Sequence, residues 1–277
     1  MKTILIIFFL AIHVSRPVFG DIMQELFLKT ARAWEKDTCV EFKEKKGGPK
    51  LTTGSTIFVY GDDKKYFDCS FNESPNEGKD HLLSVGCGYF GGAAHEVGHA
   101  LGLIHTHTRY DRDAYLIVNS TNVEREYRKS YEDEIKGRKE SDVKRQIEKY
   151  EEVQYGKSKT MSNYYGVPYD YGSIMHYGTA DTNPPMIPTD KNHKRTMGSQ
   201  FISFLDLLEV NKRYDCLGDR QYALATEGDP VEIGFCSKDD KGVQLESKKS
   251  PVPIITYSMT TAPLHVTLKY RSVSTKA

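Results

Sequence analysis

His95-Glu96-Val97-Gly98-His99-Ala100-Leu101-Gly102-Leu103-Ile104-His105 is the stretch on which the fold turns. Two imidazoles four residues apart share one face of a helix on adjacent turns, close enough to bind one metal ion. The small residues Gly91-Gly92-Ala93-Ala94 open that helix, and Gly102 ends it by taking a positive φ that turns the chain toward His105. Three neutral nitrogens with a fourth position left to water make the ligand set of a catalytic zinc, not of a closed structural one. Glu96 lies off the ligand stripe, where a carboxylate can take a proton from that water and return it to a leaving amine. An isolated HExxH arises by chance on amphipathic helices, but the spaced glycine and third histidine make the pattern specific.

Outward from this helix the chain reads as mixed α and β. Met23, Leu26, Phe27, Thr30, Ala31 and Trp34 recur at helical spacing over 21–36. Strand-like runs follow at 39–42, 55–60 and 82–85. Residues 123–152 are dense in both signs of charge, with Val143, Ile147 and Tyr150 on one stripe, which predicts a solvated helix stitched by pairs such as Glu140 and Lys144. Residues 203–214 predict a helix capped by Ser203, and 217–277 form a separate extension with strand-like pieces at 253–257 and 264–270.

Composition narrows the class. Equal counts of 38 basic and 38 acidic residues argue against a nucleic-acid binder that relies on a basic field. Hydrophobic residues at 38% are too many for a disordered chain, and five Cys in 277 residues are too few for a disulfide scaffold. The apolar run at 3–14, with Lys2 before it and Val18 and Gly20 ahead of a cleavage point, predicts a signal peptide over 1–20 and a secreted, extracellular protein with no membrane span after cleavage. An uncleaved anchor is the alternative, although the run falls short of the roughly 20 residues a bilayer needs. Export predicts paired cysteines, and sequons stand at Asn72 and Asn119 as glycosylation sites.

A second constellation lies at Tyr169-Asp-Tyr-Gly-Ser-Ile-Met-His-Tyr177. With a long histidine motif upstream, Met175 reads as the Met-turn beneath the metal. The run from His95 through Arg109-Tyr-Asp-Arg-Asp113, with Ser173-Ile-Met-His-Tyr177, resembles the astacin family of secreted zinc metallopeptidases. Flanking matches at 38–42, 83–87, 202–206 and 211–216 extend the resemblance over roughly 22–216. The resemblance implies an α+β metzincin-type zincin, with a twisted mixed sheet and zinc helix above an irregular lower half that carries a C-terminal helix. It implies one Zn²⁺ per chain on His95, His99 and His105, Glu96 as catalytic base and acid, and Tyr177 as a zinc ligand at rest that swings to stabilise the oxyanion. It also implies the disulfides Cys39–Cys216 and Cys69–Cys87.

Four departures stand against the pattern. The residue after the third histidine is Thr106 where the family usually has Glu, and only a short stretch between Asp21 and Cys39 is left for the family's first strand, which is expected to be missing. The segment at about 120–160 reads as an insertion in a 21–216 peptidase domain, and the 217–277 extension leaves Cys236 without a partner. The expected function is hydrolysis of peptide bonds in protein or peptide substrates. The alternative is a zinc-binding relative that holds polypeptide but turns over poorly. Cys236 and the charged insertion are the candidate partner contacts.

Overall fold

The computed structural model describes residues 9–14, 21–44, 57–61, 68–72, 81–159, 164–179, 182–194 and 196–216. Cys236, the rest of the 217–277 extension and most of the 1–20 segment expected to be a leader lie outside them.

Helix α1 (Asp21–Lys36) forms as its periodicity predicts and turns Met23, Phe27, Thr30, Ala31 and Trp34 inward. Trp34 is fully buried and donates its indole N–H to the Ala94 carbonyl at 3.1 Å, which fastens α1 to α2 (Phe90–Ala100), the helix of the first two histidines. Burying each such large apolar side chain stabilises the fold by about 1.5–3 kcal/mol. These two helices cover a five-stranded sheet in the order β2-β1-β3-β5-β4. Its strands are β1 (Phe9–Val14), β2 (Glu41–Glu44), β3 (Ile57–Tyr60), β4 (Cys69–Asn72) and β5 (His81–Val85). β1 runs parallel to β2 and β3, β3 runs parallel to β5, and β4 closes the edge antiparallel to β5. Ile57, Val59, Leu83 and Val85 point into the core with Val97, Leu101 and Met175.

The position of β1 corrects the expectation of a missing first strand. The segment paired between β2 and β3 lies before α1, inside the apolar run assigned to a leader. An apolar run long enough for either role does not say which, because periodicity cannot separate a buried strand from a leader core.

The second half holds a short ribbon of β6 (Leu116–Val118) against β7 (Met186–Pro188) and helices α3 (Ser120–Ser130), α4 (Glu132–Ile135), α5 (Glu140–Tyr155) and α6 (Phe204–Arg213). The charged segment is therefore a helical hairpin and not one solvated helix. Gly137, at φ +78°, turns the chain between α4 and α5, so that Tyr127 packs on Val143 and Ile147. Glu140 consequently pairs with Arg128 of α3 at 2.5 Å, across the hairpin from its expected partner Lys144. Both disulfides, Cys39–Cys216 and Cys69–Cys87, are formed.

Candidate metal centre

α2 brings His95 and His99 to one face, and Gly102 at φ +87° ends the helix so that His105 folds back against them. A Cβ at Gly102 would meet only the guanidinium of the exposed Arg213 side chain, which can swing aside, so it is the positive φ that requires glycine there. The Nε2 atoms of His95 and His99 each lie 3.1 Å from Nε2 of His105. Tetrahedral nitrogens at zinc distances stand roughly 3.4 Å apart, so the three side chains fit that ion. Nδ1 of His95 donates to the Ile174 carbonyl at 2.7 Å and Nδ1 of His99 to the Leu103 carbonyl at 2.9 Å. These bonds fix the tautomer that leaves each Nε2 lone pair for a metal. Burial holds the imidazoles below their usual range, and for His95 burial and the neighbouring His99 together bring it to about 4, so they are neutral as ligands must be. Among the described residues, these three form the single group of histidine, cysteine or carboxylate side chains arranged to hold a metal.

Burial pushes Glu96 up to about 7, against the pull of the Phe71 backbone N–H on β4. Met175 is buried against α2, where a Cβ on Gly98 would come within 2.5 Å of its sulfur. Gly98 is thus what allows the Met-turn to approach α2. The ring of Tyr177 lies 4.6 Å from that of His105 and 4.2 Å from that of His107, centroid to centroid. The turn is held from α6. Asp206 accepts from Ser173 Oγ at 2.5 Å, the Ile174 N–H at 2.9 Å and the Ser203 N–H at 2.8 Å, while Thr106 Oγ1 donates to Ser173 Oγ at 3.0 Å.

A family model described as Astacin, a peptidase family, matches residues 13–144 and 139–215. The chain belongs to the astacin family. Zinc metalloproteinase nas-31 of Caenorhabditis elegans is 39% identical over 142 residues, which cover 50% of this chain and 20% of that protein. Zinc metalloproteinase nas-29 of the same organism is 30% identical over 202 residues, covering 70% of this chain and 32% of its own length. The chain therefore spans about a fifth to a third of these relatives. The solved structure of high choriolytic enzyme 1, a hatching enzyme zinc-protease from Oryzias latipes (Medaka fish), superposes with a TM-score of 0.55. It is 24% identical, covering 75% of this chain and 90% of that one, and speaks for the fold alone. The fold is the α+β metzincin-type zincin that the motifs imply.

Against that astacin pattern, Thr106 is accounted for locally, since its hydroxyl joins the buried Ser173–Asp206 network in place of a charged partner. Four residues near the centre carry roles that sequence reasoning does not assign. Asp206 stands at the acidic position of a capping box with Ser203, a visible signal, but its bonds to the Met-turn are not. Gly98 is a small residue inside the histidine motif. His107 is fully buried, donating Nε2–H to the Gln154 carbonyl at 3.0 Å, and nothing in a Thr-His-Thr triplet marks it. Gln154 lies within the charged helix and has no sequence signal at all.

Proposed function

We propose that this astacin domain is a zinc-dependent endopeptidase that hydrolyses peptide bonds in protein or peptide substrates, with one Zn²⁺ on His95, His99 and His105. The observation that carries this reading is the convergence of three Nε2 atoms, with backbone carbonyls accepting from Nδ1 of His95 and His99. Zinc bound there supplies Lewis acidity, which makes water acidic enough to attack near neutral pH and polarises a carbonyl. Glu96, next to the first histidine and drawn toward a neutral carboxyl by burial, takes a proton from the attacking water and passes it to the leaving amine nitrogen. Tyr177 donates its phenol hydrogen to the oxygen on which negative charge develops. Met175 contributes by packing against Gly98 of α2.

The alternative of a poorly active polypeptide binder rests on Thr106 and a missing first strand. Thr106 has its own hydrogen-bond partner and a strand stands between β2 and β3, so neither feature favours it. Two disulfides support a proposed location outside the reducing cytosol, in keeping with secretion. No helix among the described residues is long and apolar enough to cross a membrane. Glycans on Asn119, whose Oδ1 caps α3 while Nδ2 is the acceptor atom, and on exposed Asn72 belong to the same proposal. The test is metal analysis with digestion of a denatured protein. We expect one zinc per chain, and Glu96→Gln is expected to keep the zinc while slowing cleavage by about 10²–10⁴-fold. A protein without zinc, or a Glu96→Gln form as fast as the parent, would overturn it.

A further inference from the structure

The ribbon of β6 and β7 buries one face and leaves the other to solvent. Leu116 and Met186 turn inward at 1% exposure each, while Ile117 and Ile187, paired directly across the two strands, turn outward at 57% and 38%. Side chains alternate along a strand, so the residue two beyond Ile117 returns to the same outer face. That residue is Asn119, whose N–H donates to the Pro185 carbonyl at 2.8 Å and carries the pairing one step past the ladder. Asn119 opens the sequon Asn119-Ser120-Thr121. Its Oδ1 accepts the Asn122 N–H at 3.1 Å, which holds the side-chain amide at the end of the ribbon. An acceptor for a glycan and an exposed apolar pair thus share one face, two residues apart.

We propose that the N-acetylhexosamine at the root of a glycan on Asn119 lies over Ile117 and Ile187 and covers them. A pyranose carries hydroxyls on its rim and C–H groups on its faces, so one face excludes water from an aliphatic surface while the rim stays hydrated. Size selects this occupant. Two isoleucine side chains fall far short of the roughly 800 Å² per partner that a stable protein interface buries, whereas one sugar ring spans a cross-strand pair, whose Cβ atoms stand about 4.5–5.5 Å apart. The covalent tether also removes most of the entropic cost of association, because the ring is already held within reach. Glycosylation replaces one hydrogen of Nδ2 and leaves Oδ1 to keep its bond to Asn122, so the cap on α3 and the sugar coexist. The ribbon in turn supports the Met-turn run, since Tyr171 donates its hydroxyl to the Tyr115 carbonyl at 2.6 Å, just before β6. The inference rests on the proposed export and glycosylation, and on no part of the proposed chemistry at the metal.

The experiment compares the full chain, exported from a eukaryotic cell, with three variants. Thr121→Ala removes the sequon and keeps the Asn119 cap, Ile117→Thr removes the apolar group and keeps β-branching, and the third variant combines the two. Mass spectrometry of the peptide that holds Asn119 reports its occupancy. Thr121→Ala is expected to lower the thermal midpoint of the parent by about 2–4 °C and to leave that of Ile117→Thr where it was. Trimming the parent's glycan to its first sugar is expected to keep the parent's midpoint. Hydroxyl-radical footprinting is expected to label Ile117 and Ile187 more heavily in Thr121→Ala, and equally so after enzymatic removal of the glycan from the folded parent, which does not depend on how the variant folds. Unchanged labelling with Asn119 occupied, or the same lowering of the midpoint in both backgrounds, would overturn the cover alone. A dimer of the glycosylated parent that is lost in Ile117→Thr would give the face to a second copy and overturn it too. An Asn119 found bare in the exported protein would instead remove the glycosylation reading on which the inference rests.

Discussion

Glu209 is a carboxyl on α6 whose surroundings oppose its charge. Burial, with the Asp206 carboxylate adding to it, pushes Glu209 up from an ordinary 4.5 to about 8, while Arg109 and Arg213 pull the other way. A carboxyl raised in the folded state holds a proton that the unfolded chain has already released, so its contribution is complete below about pH 4.5 and is lost as pH rises to about 8. Thermal unfolding across that window is expected to show the parent losing stability with rising pH relative to Glu209→Gln, and parallel curves would contradict the assignment. Other residues differ in how openly they declare themselves. His95, Glu96, His99 and His105 are legible because a metal motif is local and its spacing is the geometry. Asp206 and His107 act through partners 33 and 47 residues away, and no spacing rule reaches that far.

The elements repeat this division. α1, α2 and α6 are readable because an amphipathic helix writes its buried face into its own periodicity. The hairpin of α3 and α5 reads from sequence as one helix, since charged surfaces carry little information about where a chain reverses. β4, four residues at a sheet edge with no fully buried side chain, gives no alternation to detect. The contact between α2 and the Met-turn offers a sharper test. Gly98→Ala puts a methyl group 2.5 Å from the Met175 sulfur and 3.3 Å from the Trp34 ring, both of them buried, so neither neighbour can yield freely. Overpacking of this kind costs about 1–3 kcal/mol. Urea unfolding is expected to register that loss, and chelator titration a weaker hold on zinc. A variant as stable as the parent would mean that the turn relaxes more easily than its packing implies.

At the scale of the molecule the upper sheet depends on the first strand. With β1 removed, β2 and β3 face each other across the width of a strand, leaving two rows of backbone groups unpaired. Deleting residues 1–20 is expected to abolish the cooperative thermal transition of the metal-loaded domain, and an unchanged transition would show that the sheet does not need that strand. Amino-terminal sequencing of exported protein then decides whether the apolar run is kept or removed. The Cys39–Cys216 bridge spans 177 residues and encloses α2, the hairpin and the Met-turn within a single covalent ring. Under the proposed activity, the protein at high concentration is exposed to attack by its own copies, and the exposed turn at Gly137 is an open target. One cut within the ring frees no fragment, so a nicked molecule keeps its three histidines and its Met-turn on one covalent body.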